Sequence, residues 1–216
     1  MRVDQGELVV DRPARRIWAV LEHPLLDITW SRYEPAERGP DLHVHHGHSD
    51  AFYVVEGELR FPLGPEAEPL TAPAGSFVLA PPNVAHKFDN DGAGAACWLN
   101  LHAPSGGFIE YLRGRNDAFD QHDPPPDGGR PRADAIVHLA EAAERLEQDG
   151  PAVHARELAV PPEGLDGVAG EAEGFFVLHD GLEGAGPGEW ISTTPGAPYR
   201  LLGLTNARVL HVRATS

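Results

Sequence analysis

The residues most able to do chemistry lie in Asp41–Val55, DLHVHHGHSDAFYVV. Alternate residues of a strand point to one face, roughly 6.6 Å apart along the chain. His43 and His45 can therefore converge on a cation while Val44 turns away. Asp50 follows His45 by five positions, across a polar, glycine-bearing stretch that can turn the chain. A carboxylate opening the next strand would stand beside the two imidazoles, with Phe52 and Val54 on its face. The third piece is Gly75–Asn90, GSFVLAPPNVAHKFDN, in which a strand ends at Pro81-Pro82 and His86 opens the next one. Taken singly, each has a plainer reading: a solvated strand face for the His pair, a turn aspartate for Asp50, a strand-end histidine for His86. Together they offer three imidazoles and a carboxylate. That donor set suits Fe, Mn, Ni, Zn or Cu as a divalent ion, not Ca²⁺ or Mg²⁺, which prefer oxygen-only shells. Only neutral imidazole ligates, so affinity should fall as the pH drops through the histidine range. Alternation turns His46 away from this face and puts His48 in the turn. Both are expected on the rim or surface, with His48 the substitute if Asp50 cannot reach.

The two segments resemble the paired motifs of the cupin superfamily, G-x5-HxH-x3,4-E-x6-G and G-x5-P-x-G-x2-H-x3-N, over about Ile28–His102. The first runs through His43, His45, Asp50 and Gly57, the second through Gly75, Pro81, Asn83, His86 and Asn90. The resemblance implies one divalent transition metal held by His43, His45, His86 and, less directly, Asp50. Three departures stand out. Gly39 is four residues before His43 instead of six. Asn83 replaces a glycine, which a left-handed turn tolerates. Asp50 replaces glutamate and is shorter by about 1.5 Å, so direct ligation, ligation through water and an open coordination position are all compatible with it. If unbound, Asp50 is also the candidate catalytic base. The resemblance is to quercetinase-like, bicupin-type conserved-barrel proteins. It implies an oxidoreductase of dioxygenase type acting on a small, aromatic or hydrophobic molecule. Two other readings stay open: an isomerase or lyase using the ion as a Lewis acid, and a non-enzymatic small-molecule-binding barrel.

The elements that must position these groups are short β-runs: Asp27–Tyr33, Ala51–Val55, Glu58–Phe61, Ser76–Ala80 and Ala96–His102, then Val153–Val160, Gly174–His179, Glu189–Thr193, Arg200–Leu202 and Arg208–Arg213. With 24 Gly and 21 Pro punctuating the chain, they argue for an all-β jelly-roll barrel. Glu56-Gly57-Glu58 reads as a tight hairpin. Phe108–Gly114 reads as a short helix and Asp134–Gln148 as a longer one, between them a Pro/Gly-rich stretch taken as a solvent-exposed loop. The second half looks like a decayed copy, in which Gly188–Tyr199 matches Gly75–His86 and Phe175–Gly181 matches Ala51–Gly57. Gly174 then falls at the Asp50 place and Tyr199 at the His86 place. The expected organisation is a metal-binding barrel over 1–110, a helical linker over 111–150 and a degenerate barrel without metal ligands over 151–216. Inward residues Phe52, Val54, Leu79, Phe88 and Trp98, with Tyr111 from the following helix, are expected to line the substrate pocket. Only Arg32, Arg38, Arg60 and Lys87 are basic within 28–102, so the lining suits an aromatic molecule better than a sugar phosphate.

Composition narrows the partners. The 216 residues carry 17 Lys+Arg against 33 Asp+Glu, a formal charge of -16, which disfavours nucleic acid and anionic membranes. The one cysteine, Cys97, excludes an intrachain disulfide framework. No apolar run is long enough for a membrane helix, and MRVDQGELVV lacks the build of a signal peptide. A cytoplasmic protein is expected, with a small-molecule ligand or substrate and a homodimeric assembly.

Overall fold

The computed structural model describes residues 1–66, 68–140, 146–150 and 152–214. The chain divides into two compact units, Glu7–Glu144 and Met1–Gly6 with Arg145–Ser216. No helix among the described residues is long and apolar enough to cross a membrane.

The larger unit contains β1 (Glu7–Arg12), β2 (Arg15–His23), β3 (Leu26–Tyr33), β4 (Ser49–Glu56), β5 (Glu58–Phe61), β6 (Leu70–Pro73), β7 (Phe77–Ala80), β8 (Ala96–Ala103), α1 (Phe108–Leu112) and β9 (Ile136–His138). Seven of these strands form an antiparallel sheet in the order β1-β2-β3-β8-β4-β7-β9. Opposite it lies a looser layer. There β5 pairs with β6, and the segments 38–43, 60–63 and 86–89 are joined by single antiparallel bridges, among them His43 to His86 and Leu63 to His86. Between the layers Phe52, Val54, Leu59, Phe61, Leu63, Phe88 and Trp98 form a buried cluster. Burying a side chain of this size contributes about 1.5–3 kcal/mol, so the alternating inward residues of β4 and β8 are spent largely on the core.

Two local expectations are corrected. Glu56-Gly57-Glu58 does not close a hairpin, because β4 pairs with β7 and β8 while β5 pairs with β6. Gly57, at φ +71°, instead carries the chain from one layer to the other. A side chain there would meet the Ala95 carbonyl oxygen at 2.5 Å. The helix expected over 134–148 is absent from the described part of that stretch. Residues 132–134 make one 3-10 turn, Ile136–His138 adds β9 to the sheet edge beside β7, and Glu147–Asp149 is a strand. Residues 141–145 lie outside the described residues. Edge pairing overrode a helical spacing too short to nucleate on its own. The short helix expected at Phe108 is present as α1.

The smaller unit contains β10 (Glu147–Asp149), β11 (Val153–Val160), β12 (Leu165–Val168), β13 (Glu173–His179), β14 (Trp190–Ser192), β15 (Pro198–Leu201) and β16 (Ala207–Ala214). It repeats the connectivity of the larger one: β13 lies between β14 and β16 as β4 lies between β7 and β8. The registers fix the correspondence. Phe52 pairs with Val78 and Asn100; Phe175 pairs with Ile191 and His211. Both strands then bulge two residues on, between Val54 and Glu56 and between Val177 and His179. Phe175 therefore matches Phe52, one residue away from the ungapped sequence match, and Glu173, not Gly174, occupies the Asp50 place. Tyr199 pairs with Gly167 as His86 pairs with His43, and Gly196 N–H bonds to the Ala169 carbonyl as Asn83 N–H bonds to that of His45. Gly167 and Ala169 thus replace the two histidines of the first motif. This unit is a degenerate copy that has lost its imidazole ligand positions.

Candidate metal centre

His43, His45, Asp50 and His86 converge, each buried, with one ligand atom apiece inside a sphere where all lie within 4.8 Å of one another. His43 and His86 come from facing segments of the looser layer, whose backbones exchange hydrogen bonds of 3.1 and 2.9 Å. Asp50 comes from β4 in the opposing sheet. Asn83, at φ +67°, adopts the left-handed turn expected of it and donates its N–H to the His45 carbonyl. The displaced Gly39 is required by close approach: a side chain there would fall 2.0 Å from the Phe88 carbonyl oxygen.

The imidazoles are oriented by backbone acceptors. Nδ1 of His43 bonds the Asp41 carbonyl at 2.8 Å, Nδ1 of His86 bonds that of Val84 at 2.9 Å, and Nδ1 of His45 bonds that of Asp120. With Nδ1 carrying the proton, each Nε2 presents a lone pair, the arrangement that orients metal-ligating histidine. Nε2 of His86 lies 3.3 Å and Nε2 of His45 3.8 Å from Asp50 Oδ2. Asn100 Nδ2 donates to the other oxygen, Oδ1. Asp50 thus reaches the cluster despite its shorter side chain.

Burial, with the adjacent His86 and His45, pushes the His43 pKa down to about 3. Burial also opposes ionisation of Asp50, but His102, His45 and His86 around it outweigh this and hold its carboxyl well below the usual range. A neutral imidazole beside an ionised carboxylate is the state a divalent ion needs. His45 Nε2 is buried with no hydrogen-bond partner among the described residues. A buried unsatisfied nitrogen costs about 1–3 kcal/mol, and a cation at this point would satisfy it. The donor set fits a borderline transition ion, and no fourth imidazole or second carboxylate is needed to complete a four-ligand site.

His43, His45 and Asp50 line a cavity of about 320 Å³ in the larger unit. Val10, Ile17, Phe88, Phe108, Tyr111 and Phe119 form much of its apolar wall. Among the residues expected in the pocket, Phe88 and Tyr111 line it. Phe52, Val54 and Trp98 are fully buried in the core cluster, and Leu79 is fully buried outside both. His46 is exposed as expected; its Nδ1 lies 2.7 Å from Asn83 Oδ1 and its ring stacks on His122. His48 is not a rim residue: it is 2% exposed and stacks on His45 at 4.0 Å between ring centroids.

Sequence reasoning passed over three groups of residues. His102 and Asn100, at the end of β8, face Asp50 from the neighbouring strand; their alternation with Trp98 was the available signal. Residues 119–122, expected as solvent-exposed loop, fold onto the centre. Asp120 accepts backbone N–H bonds from His46 at 2.9 Å and Gly47 at 2.6 Å, and Val44 and His122 exchange two backbone bonds. Arg12 and Arg15, on β1 and β2 before the matched region, supply positive charge to the cavity wall. Arg15 is held by Glu37 and stacks on Tyr33; Arg12 is exposed and forms no ion pair among the described residues.

Residues 29–102 match the family profile described as a cupin domain. The fold is a cupin fold. Solved structures extend the likeness of fold over both units. A bacterial pirin from Escherichia coli in complex with nickel(II) superposes with a TM-score of 0.64 at 13% identity, covering 98% of this chain and 96% of that one. A point mutant of Bacillus subtilis oxalate decarboxylase gives 0.63 at 11% identity, over 98% and 75%. A cupin 2 conserved barrel domain protein from Leptotrichia buccalis gives 0.60 at 13%, over 95% and 91%. No functionally curated protein matches the chain by sequence. At these identities the likeness establishes the fold of this chain, and its chemistry must come from its own residues.

Proposed function

We propose that this cupin-fold protein is a metal-dependent oxidoreductase of dioxygenase type whose substrate is a small aromatic molecule. The observation that supports the reading is that His43, His45 and Asp50 of the four-donor cluster line a cavity that Phe88, Phe108, Tyr111 and Phe119 also line. His43, His45, Asp50 and His86 would hold the ion. When bound, a redox-active ion of this class supplies open positions at which O₂ and an oxygen-bearing substrate can meet. The protein's own work is positional. Four aromatic rings give a flat substrate faces and edges to pack against, Arg12 and Arg15 attract a negative group to the mouth, and the apolar wall excludes water from the reacting end. Asp50, bonded by Asn100 and surrounded by imidazoles, is the group placed to take a substrate proton when it is not bound to the ion.

The arginines favour a second reading, a lyase or isomerase acting on a small carboxylate with the ion as Lewis acid. The two separate on metal identity. Protein loaded in turn with Fe(II), Mn(II), Ni(II), Cu(II) or Zn(II) would be screened against phenolic and enolic carboxylates in an O₂ electrode, with product analysis. The first reading expects O₂ consumption with at least one redox-active ion and none with Zn(II). Turnover by the Zn(II) form without O₂ uptake would overturn it and support the second.

A further inference from the structure

Beside the four-donor centre lie two more buried histidines for which that centre has no use. His48 and His102 are 2% and 1% exposed. Neither ring nitrogen of His102 has a hydrogen-bond partner among the described residues, nor has Nε2 of His48. The neutral imidazole of each offers a lone pair on one ring nitrogen. With His45 they form a second cluster whose ligand nitrogens lie within 4.8 Å of one another. A histidine used only for packing would be expected to satisfy its nitrogens; here three rings leave nitrogens orphaned at the same spot.

We infer that this cluster is a second cation site, so that the pocket holds two divalent ions, one on His43, Asp50 and His86 and the other on His45, His48 and His102. The inference rests on the proposed metal centre and extends it. His45 has one free nitrogen, Nε2, because Nδ1 is bonded to the Asp120 carbonyl. Filling both sites therefore assigns His45 to the three-histidine set and leaves two histidines and a carboxylate for the other. Asp50 lies between the two sets: Oδ2 is 3.3 Å from His86 Nε2 and 3.8 Å from His45 Nε2, and Oδ1, which also accepts from Asn100 Nδ2, is 3.5 Å from His102 Nε2. A carboxylate spanning two ions about 3.5–4 Å apart is the usual geometry of a two-metal site. Asp120 supports the second set twice over. Its carbonyl orients His45, and its Oδ2 lies 3.4 Å from His48 Nδ1, leaving His48 Nε2 to ligate.

The test is metal stoichiometry on protein purified without metal-affinity resin, stripped, and titrated with Co(II). Bound metal is read by elemental analysis and visible absorption. Two ions per chain are expected in the wild type and one in His48→Ala and in His102→Phe. The phenylalanine keeps the ring stack on Phe108, 3.7 Å between centroids, and removes both donors. His43→Ala should also retain one, now on the three-histidine set. Mn(II)-loaded wild type should show spin coupling between neighbouring ions in its EPR spectrum, a readout independent of how the variants fold. One ion per chain in the wild type, with His102→Phe still holding one, would overturn the second site and leave the first intact. Two ions in both proteins would place the extra ion elsewhere and equally overturn it. No bound ion in the wild type would overturn both sites together.

Discussion

Lowering the pH of the metal-free protein should unfold the larger unit steeply, and the slope follows from its buried groups. His43, His48 and His102 have ordinary pKa values of 6.5, lowered on folding to about 3, to about 4 and well below that ordinary value. As pH falls below 6.5 the unfolded chain binds protons that the folded unit refuses. The stability contributed by these imidazoles is therefore intact above that pH and is lost on the way down. Asp27 acts in the opposite sense. Burial raises its carboxyl to about 6 despite the Ile109 N–H it accepts, so the folded unit takes up that proton first. Near pH 5 the unfolded chain binds about two more protons than the folded unit, which makes the slope about 3 kcal/mol per pH unit. Against a total stability of about 5–15 kcal/mol, the fold should fail within a few pH units. The assay is urea denaturation in chelator from pH 8 to pH 4, following signals of the larger unit. His48→Gln should flatten the slope by about 1.4 kcal/mol per pH unit. Equal stability at pH 7 and pH 5 would refute the claim that these imidazoles are buried neutral.

Three further outcomes follow. Asp50→Asn removes the carboxylate that His102, His45 and His86 hold ionised, so metal-free stability at pH 7 should fall, and the metal-induced rise in melting temperature should shrink. That rise is about 5–10 °C in the wild type at a hundredfold excess over Kd, and thermal melts with and without Zn(II) measure it. Asn90→Ala should cost about 2–3 kcal/mol in denaturant titration with metal stoichiometry unchanged, because Asn90 Nδ2 donates to the carbonyls of Tyr33, Glu34 and Gly94 in a buried turn. Arg12→Ala should weaken binding of an aromatic carboxylate about tenfold in calorimetry while a neutral analogue is unaffected; equal effects on both would remove Arg12 from substrate recognition.

The convergence of His43, His45, Asp50 and His86 was legible in sequence because their spacing follows backbone periods. His43 and His45 lie two apart on one bridged segment outside the named strands, Asp50 lies near the start of β4, and His86 follows a turn that Asn83 marks. Most β-runs were legible for the same reason. What escaped needed pairing information. β1 and β2, which carry Arg12 and Arg15, lack a strong alternation of burial. His102 becomes significant only when β8 is set beside β4 and it faces Asp50. Asp120 sits in a Pro/Gly-rich stretch that reads as solvent-exposed, yet its backbone and carboxylate acceptors tie the histidine loop in place. In the second half the one-residue error at Gly174 arose because the ungapped match set Gly181 against Gly57, whereas the strand register sets Phe175 against Phe52.

The most direct test of the central claim is the metal content of protein purified without metal-affinity resin, compared with His86→Ala. His86 is buried, its Nδ1 is fixed by Val84 and its Nε2 lies against Asp50. The account predicts stoichiometric transition metal in the wild type and at least one ion fewer per chain in the folded variant. The same metal at the same occupancy in both proteins would contradict it.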